Sequence, residues 1–159
     1  MKKVFLVLAL VLVLALPLTA ASYSKTNGLG VGVSGGYPVQ GVAVKYGMDD
    51  FRLVGTLGYS IIGSGSISAE VGAQYDVYQF DIGDLPFYVN AGVTGSFSLP
   101  SDFNFKEFSI AVNAPVGLSF FFEKVPVEAF LKVVPALAVL PAVKFGGVGG
   151  AIGALWYFD

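Results

Sequence analysis

The residues able to do chemistry are few, and six of them share a pattern. Lys45, Arg52, Glu70, Asp76, Glu128 and Lys132 fall inside segments of alternating polarity, and each lies on the polar parity of its segment. Three are cationic and three anionic, the composition of mutually compensating ion pairs. The 159 residues contain no His and no Cys. A serine hydrolase would therefore lack its imidazole base, and a zinc site its usual ligands. A carboxylate pair can serve a glycosidase, but Glu70, Asp76 and Glu128 would face a lumen too thin for a sugar. Asp81-Ile82-Gly83-Asp84 holds two acids without the ligand density of a calcium loop, and reads as a turn. Gly30-Val31-Gly32-Val33-Ser34-Gly35 has dinucleotide-binding glycine spacing, but Gly36, Tyr37, Pro38 and another strand follow where a helix should begin. No enzymatic activity, metal or cofactor is expected.

The elements that must position the six charges are strands. In Phe51–Ser60 the odd residues are Phe51, Leu53, Gly55, Leu57 and Tyr59, and the even ones include Arg52, Thr56, Gly58 and Ser60. Such alternation makes a two-faced strand. Eight strands are predicted: 27–36, 41–48, 51–60, 66–80, 87–99, 107–122, 127–137 and 144–158. Turn chemistry separates them at Tyr37-Pro38, Asp49-Asp50, Gly63-Ser64-Gly65, residues 81–84, Pro100-Ser101-Asp102, Glu123-Lys124 and Pro141. The apolar stretch 125–143 competes as a helix, with Glu128 and Lys132 as an i,i+4 pair. Pro126, Pro135 and Pro141 argue against that helix. Pro115 and Pro135 should mark bulges or breaks in their ladders.

The first residues read as an export signal. Lys2 and Lys3 precede an apolar run from Val4 to Leu16, with Pro17 and small residues after it. Thr19 and Ala21 suit the −3 and −1 positions of cleavage after Ala21. A retained anchor is the alternative, but the run is shorter than the roughly 20 residues a spanning helix needs. This division assigns residues 1–21 to a signal peptide and 22–159 to a single domain. Loss of Lys2 and Lys3 leaves seven basic residues against eleven acidic ones, a net charge of about −4. That balance offers no basic patch, and a nucleic-acid partner is not expected.

Hydrophobic residues make up 55% of the chain and charged ones 13%, against about 25% charged in soluble domains. Alternation leaves open which face is outside. A soluble barrel of lipocalin type places its apolar parity inside, whereas a membrane barrel places it in lipid. Three features favour the second. The polar parity of the first and last strands is glycine-rich, with Gly28, Gly30, Gly32 and Gly36, then Gly147, Gly149 and Gly153. Small residues suit a narrow interior. The six charges named above all avoid the apolar parity. Aromatics such as Tyr46, Phe51, Tyr59, Tyr75, Phe97, Phe122, Trp156 and Phe158 stand near strand ends on that parity, as interfacial girdles do. The expected fold is an all-β, eight-stranded antiparallel up-and-down transmembrane β-barrel following an N-terminal signal peptide.

On these residues the mature chain resembles the small eight-stranded outer-membrane barrels of the OmpA/OmpX type. The last third, Glu128-Ala129-Phe130, Val134-Pro135-Ala136-Leu137, Pro141 and the Gly-rich closing strand to Tyr157-Phe158, resembles an uncharacterised group of small barrels in diderm bacteria. The closing alternation Val148, Gly150, Ile152, Ala154, Trp156, Phe158 is similar to the C-terminal insertion signal of such proteins, although Asp159 follows the terminal aromatic. The resemblance implies residence in the outer membrane of a diderm bacterium, with outer-membrane lipid and the barrel-assembly machinery as partners.

A structural or interaction protein, expected as a monomer, is the leading functional reading. The six charges are expected to form a linked network plugging the lumen. A narrow gated ion-conducting pore is the alternative, and a secreted ligand-binding barrel of lipocalin type a third. Outward loops at 37–40, 61–65 and 138–143 look short. Only the stretch around Asp102, Phe103, Asn104, Phe105 and Lys106 has a mixed aromatic and charged face, suited to a membrane-interface anchor or an interaction loop.

Overall fold

The computed structural model describes residues 28–48, 51–60, 65–83, 85–100, 108–122 and 125–158, all in strands and short connections. The strands are β1 (Gly28–Gly36), β2 (Gly41–Met48), β3 (Phe51–Ser60), β4 (Ser66–Ile82), β5 (Leu85–Pro100), β6 (Ser109–Asn113), β7 (Val116–Phe121), β8 (Val127–Leu140) and β9 (Lys144–Phe158). Every pairing is antiparallel, and from β1 to β5 each strand pairs with the next in sequence. β1 pairs with β9 from Leu29↔Phe158 to Gly36↔Ala151, which closes the ring. Closure matters because an open sheet leaves two rows of unpaired backbone groups. Residues 1–21, read from the sequence as an export signal, and the stretch Asp102–Lys106 lie outside the described residues.

Nine strands occupy eight positions. β6 and β7 both pair with β5 on one side and β8 on the other. The single strand expected over 107–122 is thus two, interrupted at Ala114–Pro115. Proline has no N–H to donate to the ladder. The break is spanned by backbone bonds from Ala114 N–H to the Pro135 carbonyl (3.0 Å) and from Gly92 N–H to the Pro115 carbonyl (2.9 Å). Pro135 sits beside a second irregularity, a register shift between Ala136 and Leu137.

Two hairpins run further than the alternation suggested. β8 continues to Leu140, so Ala138–Leu140 are strand where a loop was expected. β4 and β5 pair as far as Ile82↔Leu85. Gly83 follows the last pair at φ 63°, a conformation glycine adopts without penalty.

The two faces differ sharply. In β2, Val42, Val44 and Tyr46 are exposed, whereas Ala43, Lys45 and Gly47 are buried. In β8, Glu128, Phe130, Lys132, Val134 and Ala136 are buried, whereas Leu131 and Val133 are exposed. The outer wall is therefore largely apolar, while Lys45, Arg52, Glu70, Glu128 and Lys132 are buried. Val71 is 67% exposed and Ile152 65%. The aromatics Tyr46, Tyr59, Tyr75, Phe97, Phe122, Trp156 and Phe158 also lie exposed on the outer face.

One departure from strict alternation changes faces. A bulge between Asp76 and Tyr78 adds an unpaired residue to β4. Simple parity would put Tyr78 and Phe80 inside with Asp76. The extra residue turns both outward, and Tyr78 is 65% exposed. Phe80 stacks on Phe87 at 5.5 Å, and Phe87 on Phe120 at 5.2 Å, forming an outer aromatic ladder across β4, β5 and β7.

Candidate functional site: the charged lumen

Inward-facing positions of the ring converge on a narrow lumen. We call its end beside Met48 and Phe51 the turn end, and the end beside Ser60 and Ser66 the far end. Close approach of inward side chains requires glycine at particular places. A Cβ at Gly30 would lie 2.9 Å from the Tyr157 ring. A Cβ at Gly153 would strike the ring of Phe130. The glycine-rich inner faces of β1 and β9 are thus slots that receive large side chains from neighbouring strands. Ala43, Phe130, Leu155 and Tyr157 form a small apolar cluster inside the barrel, with Phe121 packed against it.

The six charges singled out in the sequence all point into the lumen and take part in ion pairs. Near the turn end, Lys45, Arg52, Asp76 and Glu128 form one group. Lys45 Nζ donates to Glu128 Oε1 at 2.6 Å, Arg52 Nη1 lies 3.5 Å from the same oxygen, and Arg52 Nη2 donates to Asp76. Register explains the meeting. Arg52 opposes Gln74 across β3 and β4, two residues from Asp76. Glu128 opposes Leu155 on β9, with Tyr157 the next inward residue on that strand. Lys132 and Glu70 form a separate pair at 3.0 Å, further towards the far end.

Glu128 is the hub of the first group. It is fully buried. Besides Lys45 and Arg52, it accepts hydrogen bonds from Ser119 Oγ at 2.5 Å and Tyr157 Oη at 2.6 Å. Burying a charge costs several kcal/mol unless partners and hydrogen bonds compensate, and this carboxylate has both. Ring faces supplement the cations: Lys45 Nζ lies 4.4 Å from the centre of the Phe130 ring, and the Arg52 guanidinium 5.4 Å from that of Phe121. Asp76 is the most exposed of the six, its side chain 20% accessible.

Towards the far end the polar groups are mostly neutral. Glu70 Oε1 accepts from Thr94 Oγ1 at 2.6 Å. Asn113 Nδ2 donates to Thr94 Oγ1 at 3.2 Å and to Ser96 Oγ at 3.0 Å. Ser68 donates to Ser98 at 3.0 Å and lies 3.4 Å from Ser66. Between this lattice and the Glu128 hub lies a cavity of about 20 Å³, lined by Lys45, Thr56, Gln74, Asn90, Phe130 and Lys132 among others.

Sequence reading singled out the charges and missed their neutral partners. Tyr157, Ser119, Thr94, Asn113, Asn90 and Gln74 all occupy inward positions, and a census of every polar residue on that parity would have found them. No group of three or more carboxylate, imidazole or thiol residues suited to a metal occurs among the described residues. Trp156 and Phe158 lie on the outer face, at 49% and 55% exposure, paired with Val127 and Leu29. The chain matches no protein-family model, no curated protein and no solved structure.

Proposed function

We propose that this chain is a small integral outer-membrane barrel with a side-chain-filled lumen, acting as a structural or interaction protein and not as an enzyme. The carrying observation is the inversion of polarity: Val33, Leu57, Val71, Leu131 and Ile152 are exposed on the outer wall while Glu128, Arg52 and Glu70 are buried. A water-facing wall of this kind would expose far more apolar surface than soluble monomers tolerate. A bilayer makes the same wall favourable, and a closed ring satisfies its backbone internally. The signal peptide would deliver the chain across the inner membrane, and the Trp156–Phe158 end would engage the barrel-assembly machinery. Insertion as a monomer, with lipid as the main partner, follows from this reading.

Membrane fractionation followed by gel electrophoresis of unheated and boiled samples tests the proposal. The expected result is an outer-membrane band whose mobility changes on boiling. Recovery of a detergent-free monomer from the periplasm or medium would instead support a soluble carrier, which the apolar wall and small cavity disfavour.

A narrow gated pore is the second reading, motivated by charges that run along the lumen. An eight-stranded barrel has room only for side chains, so currents in planar bilayers should be small in the native protein. Glu128→Ala or Arg52→Ala should raise them if the network gates a path. A large steady conductance of the native protein would overturn the plugged lumen.

A further inference from the structure

The ion pairs separate into two groups, and the cavity lies between them. Its charged lining residues are Lys45 from one group and Lys132 from the other. Gln74 also lines it. This side chain is only 4% exposed, and its Oε1 has no hydrogen-bond partner. Such an atom is costly to bury unsatisfied. We propose that the cavity is a binding site for a single water molecule, which donates to Gln74 Oε1, accepts from the two lysines and joins the two charge groups into one network.

Size, hydrogen-bonding chemistry and charge support that occupant. A site needs roughly 10–15 Å³ of such volume and two to four polar partners to hold a water, and the cavity offers about 20 Å³. An ammonium has three donors. Lys45 Nζ donates to Glu128 and Lys132 Nζ to Glu70, so further N–H groups remain to be accepted. The occupant must therefore accept from lysine and donate to the glutamine oxygen. Halide can only accept, and a metal cation can do neither. Net charge points the same way. Lys45 and Arg52 are balanced by Glu128 and Asp76, and Lys132 is balanced by Glu70. No surplus charge remains to hold an ion in a low-dielectric lumen.

The proposal goes beyond the functional reading and does not depend on it, because it concerns the closed interior wherever the barrel resides. The test is a high-resolution crystal structure of the full mature protein grown in sodium bromide, with a parallel Gln74→Leu crystal. The expected result is one peak without anomalous signal, within hydrogen-bond distance of Gln74 Oε1 and both lysine nitrogens, and lost in Gln74→Leu. An anomalous bromide peak would overturn the proposal in favour of an anion site. An empty cavity, or one that takes up xenon, would overturn it as well. Should Gln74→Leu fail to fold, the native crystal decides alone.

Discussion

The two ends of the lumen fill the same kind of space in different ways. At the turn end a single carboxylate, Glu128, gathers Lys45, Arg52, Ser119 and Tyr157, and aromatic rings cover the cations. At the far end Ser66, Ser68, Ser96, Ser98, Thr94 and Asn113 form a lattice of neutral bonds, with Glu70–Lys132 as its one ion pair among the described residues. A hub concentrates the consequences of losing one residue. A lattice of weaker bonds spreads them. The contrast also explains why glycine opens slots beside Tyr157 and Phe130, where bulky rings crowd the charges.

Removing the hub should give the largest effect. Glu128→Ala leaves Lys45 and Arg52 without their shared acceptor, and breaking a buried pair this way costs about 3–5 kcal/mol. Guanidinium unfolding of the refolded barrel should show it, and a loss under about 1 kcal/mol would mean that the turn end has no hub. The far-end pair should respond less. Lys132→Met removes a charge-assisted bond from Glu70 while Thr94 still donates to it, an expected loss of about 1.5–3 kcal/mol. Adding Glu70→Met should recover much of that loss, because replacing a whole buried pair by apolar groups is often neutral. A double variant weaker than the single one would show that the pair is net stabilising. The smallest effect belongs to the lattice: Ser68→Ala should cost about 0.5–1.5 kcal/mol. If Ser68→Ala matched Glu128→Ala in the same unfolding assay, the distinction between hub and lattice would fail.

Much of this architecture was legible in the residues because alternation with a period of two leaves few options. Phe51–Ser60 and Val127–Leu137 announce their two faces directly, and Pro115 announces a break because it has no donor. The bulge at residues 76–78 was hidden from a parity count. Asp76, Gln79 and Asp81 suggest it in retrospect, since the spacing from Asp76 to Gln79 is odd while later polar residues keep step with Gln79. β4, β5 and β8 run longer than predicted because Asp81 reads as turn chemistry, Pro86 and Pro100 as breakers, and Ala138–Leu140 as an apolar run without alternation. The neutral partners of the charges were passed over because a serine or asparagine on an inward parity draws no attention until its neighbour is known.

By itself the sequence determined the strand periodicity, the parity that carries the six charges, and the absence of histidine and cysteine chemistry. These are local or compositional properties, and each is complete within a few residues or in a simple count. Only the tertiary structure decided that Glu128 is the shared acceptor, that Lys132 turns to Glu70, and that a cavity separates the two groups. Lys45 and Glu128 stand 83 positions apart. Which cation meets which carboxylate depends on how eight strand positions register around a closed ring, and no single strand contains that information.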